Sequence, residues 1–232
     1  MIATVALLAV STLQPLVWAA PDGSLRANGA TARLLPGTRM VTTPVGYGLD
    51  FDGESGGVSI QDVPAHRLAE RFSISAWVFL RRHVTIGPGA QILFRGDDRN
   101  GLDPYHLTIS PDGAVVLGIE DGQGGGDWVS APVPLRRWFH VLGSFDAHTG
   151  QLLLYMDGVL MGKKSTSIRP MKRLDVTSAP GIGIGNVQSP DRGVHRQPLD
   201  GILADVRLYA HTLKPIDVDY VRERWQGTGP KR

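Results

Sequence analysis

Hydrophobic and polar residues alternate in short runs through most of the chain, in the pattern of β-strands. Residues 72–80 give the clearest case, since Phe72, Ile74 and Ala76 share one face before the run becomes apolar on both faces. Runs of this kind, separated by Gly, Pro and Asp, indicate an all-β sandwich of two antiparallel sheets. The predicted strands cover residues 48–53, 57–60, 72–80, 91–94, 105–109, 114–119, 138–145, 151–156, 159–161, 181–185 and 199–209.

Turn residues connect several of these strands directly. The segment 110–113, Ser-Pro-Asp-Gly, predicts a hairpin because proline sets φ and glycine accepts a positive φ. Residues 146–150 predict a second hairpin, and Asp157-Gly158 predicts a tight turn into the following strand. One short C-terminal helix is predicted at residues 215–225, where proline occupies the first helical position.

The composition supports this fold class and excludes several kinds of chemistry. The chain has 232 residues with 29 Gly and 16 Pro, which favours many turns over long helices. It has no Cys, so disulfides, iron–sulfur clusters and thiol catalysis are excluded. The net charge is +2 without a long basic run, which gives no sign of nucleic-acid binding.

The amino-terminal residues 1–20 contain no charged side chain and are mostly apolar. Small residues flank Trp18 where signal peptidase would cleave, so we expect export. The positive start of a signal peptide is missing, and the segment is therefore either a signal peptide or an N-terminal membrane anchor. Both alternatives place the protein outside the cytoplasm, in the periplasm, at the cell surface or in the medium. Residues 21–44 are predicted to be an irregular lead-in.

The order of the predicted elements resembles the laminin-G-like, concanavalin A-like jelly-roll family. The resemblance covers residues 45–226 and leaves 227–232 as a tail. It implies two packed sheets, one of them concave, with variable loops at the rim. It also implies binding of carbohydrate or of a cell-surface protein more often than catalysis. The matching stretches are 48–53, 72–78, 138–141, 154–158, 183–185 and 199–209.

Carboxylate spacing argues against glycoside hydrolysis on this scaffold. Only four of the 22 acidic residues are glutamates, and no two of these lie within ten residues of each other. A retaining glycosidase needs two carboxylates about 5–5.5 Å apart. Glu120 and Asp121 are neighbours, so within a strand they point to opposite faces. A lyase that uses His or Tyr stays open, and so does a structural role within a larger membrane-anchored protein.

Two acidic groups are candidates for a structural Ca²⁺ ion. The resemblance implies that the terminal strands pair, which would bring Asp52 and Asp205 together. The segment 96–103 is a second candidate, although Ile109 stands where an EF-hand has its final Glu. In both cases Asp and Asn beside Gly also have a simpler explanation as turn residues.

Candidate ligand-binding residues lie in two predicted rim loops. Trp128 follows a glycine-rich segment and is the aromatic residue least explained by core packing, whereas Trp77 and Trp138 are expected in the core. The sequence predicts a non-catalytic binding or adhesion module. The predicted ligand-binding residues are Asp97, Asp98, Asn100, Asp103, Asp127 and Trp128.

Overall fold

The computed structural model describes residues 14–20, 22–83, 89–96, 101–175, 181–187 and 197–213, and these form two antiparallel sheets. The helix predicted at residues 215–225 lies outside this part of the chain. A single 3-10 turn, Pro64–His66, is present in it. The strands are β1 Val17–Ala19, β2 Leu25–Arg26, β3 Ala32–Leu34, β4 Thr38–Thr43, β5 Gly46–Asp52, β6 Val58–Gln61, β7 Arg71–Leu80, β8 Ala90–Gly96, β9 Tyr105–Ile109, β10 Ala114–Glu120, β11 Gly126–Pro132, β12 Trp138–Asp146, β13 Gln151–Met156, β14 Val159–Ser165, β15 Gly181–Ile184 and β16 Asp200–Tyr209.

The nine-stranded sheet has the order β14-β13-β12-β7-β16-β1-β2, with β5 also paired to β16 and β4 to β5. The long strand β16 lies along β7 on one side. On its other side, the first half pairs with β5 and the second half with β1. The pairing with β7 shifts between Ala204 and Arg207, where Asp205 has a φ of +51°. This bulge re-aims the second half of the strand.

The seven-stranded sheet has the order β11-β10-β9-β8-β15-β6-β3 and packs against the first. The core lies between the two sheets and contains Phe72, Ile74 and Ala76, so their predicted common face is confirmed. Phe51, Phe139 and other large side chains are fully buried in the same layer, and each contributes about 2–3 kcal/mol of hydrophobic stabilisation.

The predicted hairpins are confirmed. Gly113 donates its N–H to the carbonyl of Ser110 at 3.0 Å in the turn between β9 and β10. Asp157 and Gly158 have φ values of +50° and +82°, the conformation of a two-residue hairpin turn that matches strand twist.

The amino-terminal part of the fold differs from the expectation. Residues 21–44 were expected to be irregular, but β2, β3 and β4 lie in this range and join both sheets. These strands are short and largely exposed, so they carry no alternating hydrophobic signal. β1 lies within the predicted leader, where Val17 is fully buried against β16. β11 was also not among the strands predicted from the sequence.

Trp77 is buried as expected, but it does not lie between the sheets. It packs with Val45 and Ala204 on the outer face of the nine-stranded sheet, and the partly buried Trp138 packs against them. This outer face also carries the cluster of Leu142, Tyr155, Tyr209 and Leu213. Within the described ranges, no helix has the length and apolar character needed to cross a membrane.

Candidate ligand-binding groove

A groove of about 370 Å³ runs over the outer face of the seven-stranded sheet, across β9, β10 and β11. Small and polar side chains line much of it, including Thr108, Ser110, Ala114, Gly118 and Ser130. The acidic residues Asp112 and Glu120 lie at its two ends, since one precedes β10 and the other ends it. Hydroxyls and carboxylates on a shallow floor favour a ligand that is rich in hydroxyl groups.

Strand register places three candidate residues in one row of this groove. Trp128 on β11 lies opposite Gly118 on β10, and Gly118 lies opposite His106 on β9. Residues opposite each other in an antiparallel pair share a face, so all three line the outer surface. The Trp128 side chain is 65% exposed. It is held by a paired strand and does not follow a long flexible loop, because β11 begins at Gly126.

Gly118 is required by the close approach of the His106 ring. A Cβ atom at this position would lie 2.3 Å from His106 Nε2. The ring therefore lies across β10, in the direction of Trp128. Burial lowers the pKa of His106 to about 4, so the ring is neutral at pH 7. A neutral imidazole offers one donor and one acceptor, which suits a sugar hydroxyl.

Glu120 forms the polar end of the groove. Its Oε2 accepts the N–H of Asp103 at 2.8 Å. Burial raises the pKa of Glu120, and the nearby charge of Asp121 adds to this, while the Asp103 N–H opposes it. Asp121 accepts the N–H groups of Gln123 and Gly125 and so stabilises the turn before β11. The two neighbouring carboxylates therefore have separate partners.

The predicted ligand residues do not all meet in this groove. Asp97, Asp98 and Asn100 lie outside the described residues. Asp103 is next to Glu120 at the end of the groove. The Asp127 carboxylate is directed toward β14, where it accepts the Thr166 hydroxyl at 2.5 Å and pairs with Lys164 at 3.4 Å. Its neighbour Trp128 points to the other face, since side chains alternate along a strand.

The two candidate calcium ligands are not brought together. β5 and β16 pair as the resemblance implies, but their register places Asp52 opposite Asp200, five residues before Asp205. Asp52 Oδ1 accepts the N–H groups of Glu54, Ser55 and Gly56, each at 2.9 Å. Partial burial raises the pKa of Asp52, but these donors outweigh it and hold the pKa below its usual value. Asp52 thus stabilises the turn after β5, which is the alternative to calcium binding that the sequence left open.

Asp205 belongs to a different network on the outer face of the nine-stranded sheet. It accepts the Trp18 indole N–H at 2.7 Å and two bonds from the Arg207 guanidinium at 2.8 and 2.7 Å. Arg207 also donates to the Tyr209 hydroxyl at 3.0 Å. Among the described residues, no group of three or more His, Asp or Glu side chains is arranged to hold a metal ion. Calcium binding stays a prediction.

The sequence predicts Trp128 as a candidate ligand-binding residue, but not its neighbours in the groove, His106, Gly118 and Glu120. A signal for them exists in residues 126–132, where Val129 and Ala131 face the core and Trp128 and Ser130 face outward. Treating 114–120 and 126–132 as one hairpin would have placed Gly118 beside Trp128.

Comparison with known proteins identifies the family and the fold. Residues 52–219 match the Laminin_G_3 sequence profile, described as the concanavalin A-like lectin/glucanases superfamily. A search of curated protein sequences gives no match.

Solved structures share the jelly-roll sandwich at low sequence identity. The binding domain of botulinum neurotoxin DC in complex with SialylT has a TM-score of 0.67 at 15% identity, over 93% of this chain and 52% of that one. The same toxin domain in complex with rat synaptotagmin II has a TM-score of 0.66 at 16% identity, with coverage of 93% and 52%. Domain 4 of AbnA, a GH43 extracellular arabinanase from Geobacillus stearothermophilus, in complex with arabinotriose, has a TM-score of 0.66 at 17% identity, with coverage of 93% and 100%. The chain thus spans about half the length of the toxin domains and the whole of the arabinanase domain.

Proposed function

We propose, from the premise that the chain belongs to the concanavalin A-like lectin/glucanases superfamily, that it is a non-catalytic carbohydrate-binding module whose ligand lies in the groove over β9–β11. The exposed Trp128 carries this proposal. A 65% exposed indole on a paired strand keeps a large apolar surface in water. The face of such a ring is suited to stacking on the C–H groups of a sugar, while its N–H reaches a hydroxyl.

The surroundings of Trp128 support a sugar ligand. His106 is neutral and lies in the same row, and the small floor residues leave room for a ring between them. In the arabinanase domain that shares this fold, the bound ligand is arabinotriose. An arabinose oligosaccharide is therefore a suitable first probe.

The spacing of carboxylates in the groove supports a role without catalysis. Asp112 precedes β10 and Glu120 ends it, and the six residue steps of this strand alone span about 20 Å. Glycosidases need two carboxylates within about 5–10 Å. Asp127 and Asp103 lie nearer to Glu120, but the Asp127 carboxylate is directed toward β14 and the Asp103 carboxylate lies against Gly96.

Calorimetry against arabinotriose, arabinan, xylan and dextran, together with a sialylated glycan array, tests this proposal. We expect binding of at least one probe, and Trp128→Ala should weaken it about tenfold to a hundredfold, as the loss of a central aromatic anchor does. Trp128→Phe retains most of the affinity. Tyr47→Ala, a matched exposed aromatic residue outside the groove, leaves affinity unchanged.

The proposal is overturned if no probe binds, or if Trp128→Ala binds as tightly as the wild type. Release of reducing ends or unsaturated uronate products from any polysaccharide would replace it with the enzymatic alternative.

A protein partner is the second candidate, and one edge of the nine-stranded sheet favours it. β14 is the last strand of this sheet and exposes Val159, Leu160 and Met161. Unpaired edges with apolar side chains are suited to strand addition or packing by another chain. Binding of the labelled protein to cell envelopes after periodate destruction of glycans, with loss in Leu160→Lys, would support this candidate.

Export is part of the proposal. β1 pairs with β16, so a signal peptidase that cleaved after Ala20 would remove a strand of the nine-stranded sheet. Amino-terminal sequencing of the exported protein shows whether it keeps β1.

A further inference from the structure

A cleft of about 580 Å³ lies at one end of the sandwich and shares no residue with the groove. It opens between the segment before β7, the turn after β12 and the segment after β14. Among the described residues that line it, four are cationic and one is a carboxylate, Glu70. The cationic residues are Arg67, Arg71, Arg169 and Lys172.

Three of these cations have only long or exposed ion pairs. Arg67 lies 3.4 Å from Asp62, and Arg71 lies 3.7 Å from Asp146. Lys172 lies 4.0 Å from Glu70, and both side chains are largely exposed. The exposed Lys172–Glu70 pair contributes little at this distance, so Lys172 can pair with another anion, whereas Arg67 has a largely buried partner in Asp62.

Arg169 differs from the other three because its partners are neutral. It donates to the carbonyls of Ile168 at 3.0 Å and Ala147 at 2.6 Å. No described carboxylate forms an ion pair with it. Two of its five N–H donors are used, so its charge and three donors remain available. The two carbonyls also fix the guanidinium in place, which lowers the entropic cost of binding a ligand.

We propose that this cleft binds the anionic group, carboxylate or sulfate, of an acidic polysaccharide, with Arg169 as its main contact. A guanidinium matches both groups with paired hydrogen bonds. The cleft volume is that of a small-molecule site and accommodates a sugar residue. The chain has a net charge of only +2 and no long basic run, which gives no sign of nucleic-acid binding.

Affinity measurements with polygalacturonate, heparin and dextran test the inference. The first two probes carry carboxylate and sulfate groups, and dextran is the neutral reference. We expect Arg169→Gln to weaken binding of the preferred acidic probe about tenfold, as the loss of a charge-assisted contact does. Lys172→Gln should weaken it about threefold, since its ammonium is a point charge on a largely exposed, flexible side chain. The matched control Arg33→Gln removes an exposed guanidinium on β3 and should change affinity less than twofold.

The inference is overturned if neither acidic probe binds more tightly than dextran, or if Arg33→Gln weakens binding as much as Arg169→Gln. Binding to phosphatidylglycerol vesicles but to neither acidic polysaccharide would also overturn it, in favour of a lipid surface. If circular dichroism shows that Arg169→Gln does not fold, the affinity of Lys172→Gln for the acidic probe is compared with that of Arg33→Gln instead, and equal losses overturn the inference. Trp128→Ala separates this site from the groove, because it should leave Arg169-dependent binding unchanged.

Discussion

The outer face of each sheet carries a tryptophan beside a histidine, but the tryptophan is buried on one sheet and exposed on the other. On the nine-stranded sheet, Trp77 lies directly opposite His140, and their ring centroids are 5.1 Å apart. On the seven-stranded sheet, Trp128 and His106 lie in one row with Gly118 between them. Trp77 is 5% exposed, whereas Trp128 is 65% exposed.

The difference arises from what packs over each face. Val45 and Ala204 pack on Trp77, and the Asp205–Arg207 pair completes a polar layer near His140. On the other sheet, small residues leave the groove open beside Trp128. A tryptophan on an outer face therefore stabilises the fold in one case and is available to a ligand in the other.

The largest expected difference is in the free energy of unfolding. Trp77→Ala should lower it by about 3–5 kcal/mol, because it empties a buried site. Trp128→Ala should change it by less than about 0.5 kcal/mol, since an exposed side chain loses little on truncation. Denaturant unfolding of the two variants measures both values, and equal losses would contradict the comparison.

Asp205 tests the polar layer of the nine-stranded sheet. Asp205→Ala should lower the free energy of unfolding by about 3 kcal/mol, because Arg207 is largely buried and would lose its charged partner. Arg137→Gln is the control, since it breaks a more exposed pair with Asp157 and should cost less than about 1 kcal/mol. Thermal unfolding of both variants at pH 7 makes the measurement. A small loss for Asp205→Ala would mean that Arg207 finds other partners.

The pH dependence of stability gives the smallest effect when it is expressed for one histidine and a change of one pH unit. Burial lowers the pKa of both His66 and His140 to about 4, from a usual value of 6.5. For His140, the charge of Asp205 opposes this and that of Arg207 adds to it. The unfolded state therefore binds more protons below pH 6.5, and stability falls as the pH falls from 6.5 toward 4. Each histidine contributes about 1 kcal/mol per pH unit in this window.

Two variants isolate the contribution of His140. His140→Gln should flatten the slope of the unfolding free energy against pH, whatever its effect on stability at pH 7. Gln123→Ala, in the exposed turn before β11, removes no titratable group and should leave the slope unchanged. An unchanged slope in His140→Gln would show that His140 takes up its proton in the folded state.

The fold could largely be predicted from the chain because most strands carry a local signal. Phe72, Ile74 and Ala76 mark the inner face of β7 by alternation alone, and Asp157-Gly158 marks the turn between β13 and β14 by conformational preference. β3 and β4 carry no such signal, since they are held by pairing with β6 and β5 and not by burial of an apolar face.

The candidate sites were less predictable because they depend on register. The pairing of β5 with β16 was implied correctly, but a register that opposes Asp52 to Asp200 separates the two expected calcium ligands. Arg169 and Ala147 lie in different segments, and no local sequence pattern indicates that the Arg169 guanidinium donates a hydrogen bond to the Ala147 carbonyl.

The amino-acid sequence by itself determined most of the strand positions, the inner face of β7 and the superfamily. Only the tertiary structure decided which outer face is buried and which is open. Alternation has a period of two residues and distinguishes the two faces of a strand, but it does not say what covers them. The exposure of Trp77 and Trp128 depends on residues remote in sequence, such as Val45 above one and Gly118 and His106 beside the other.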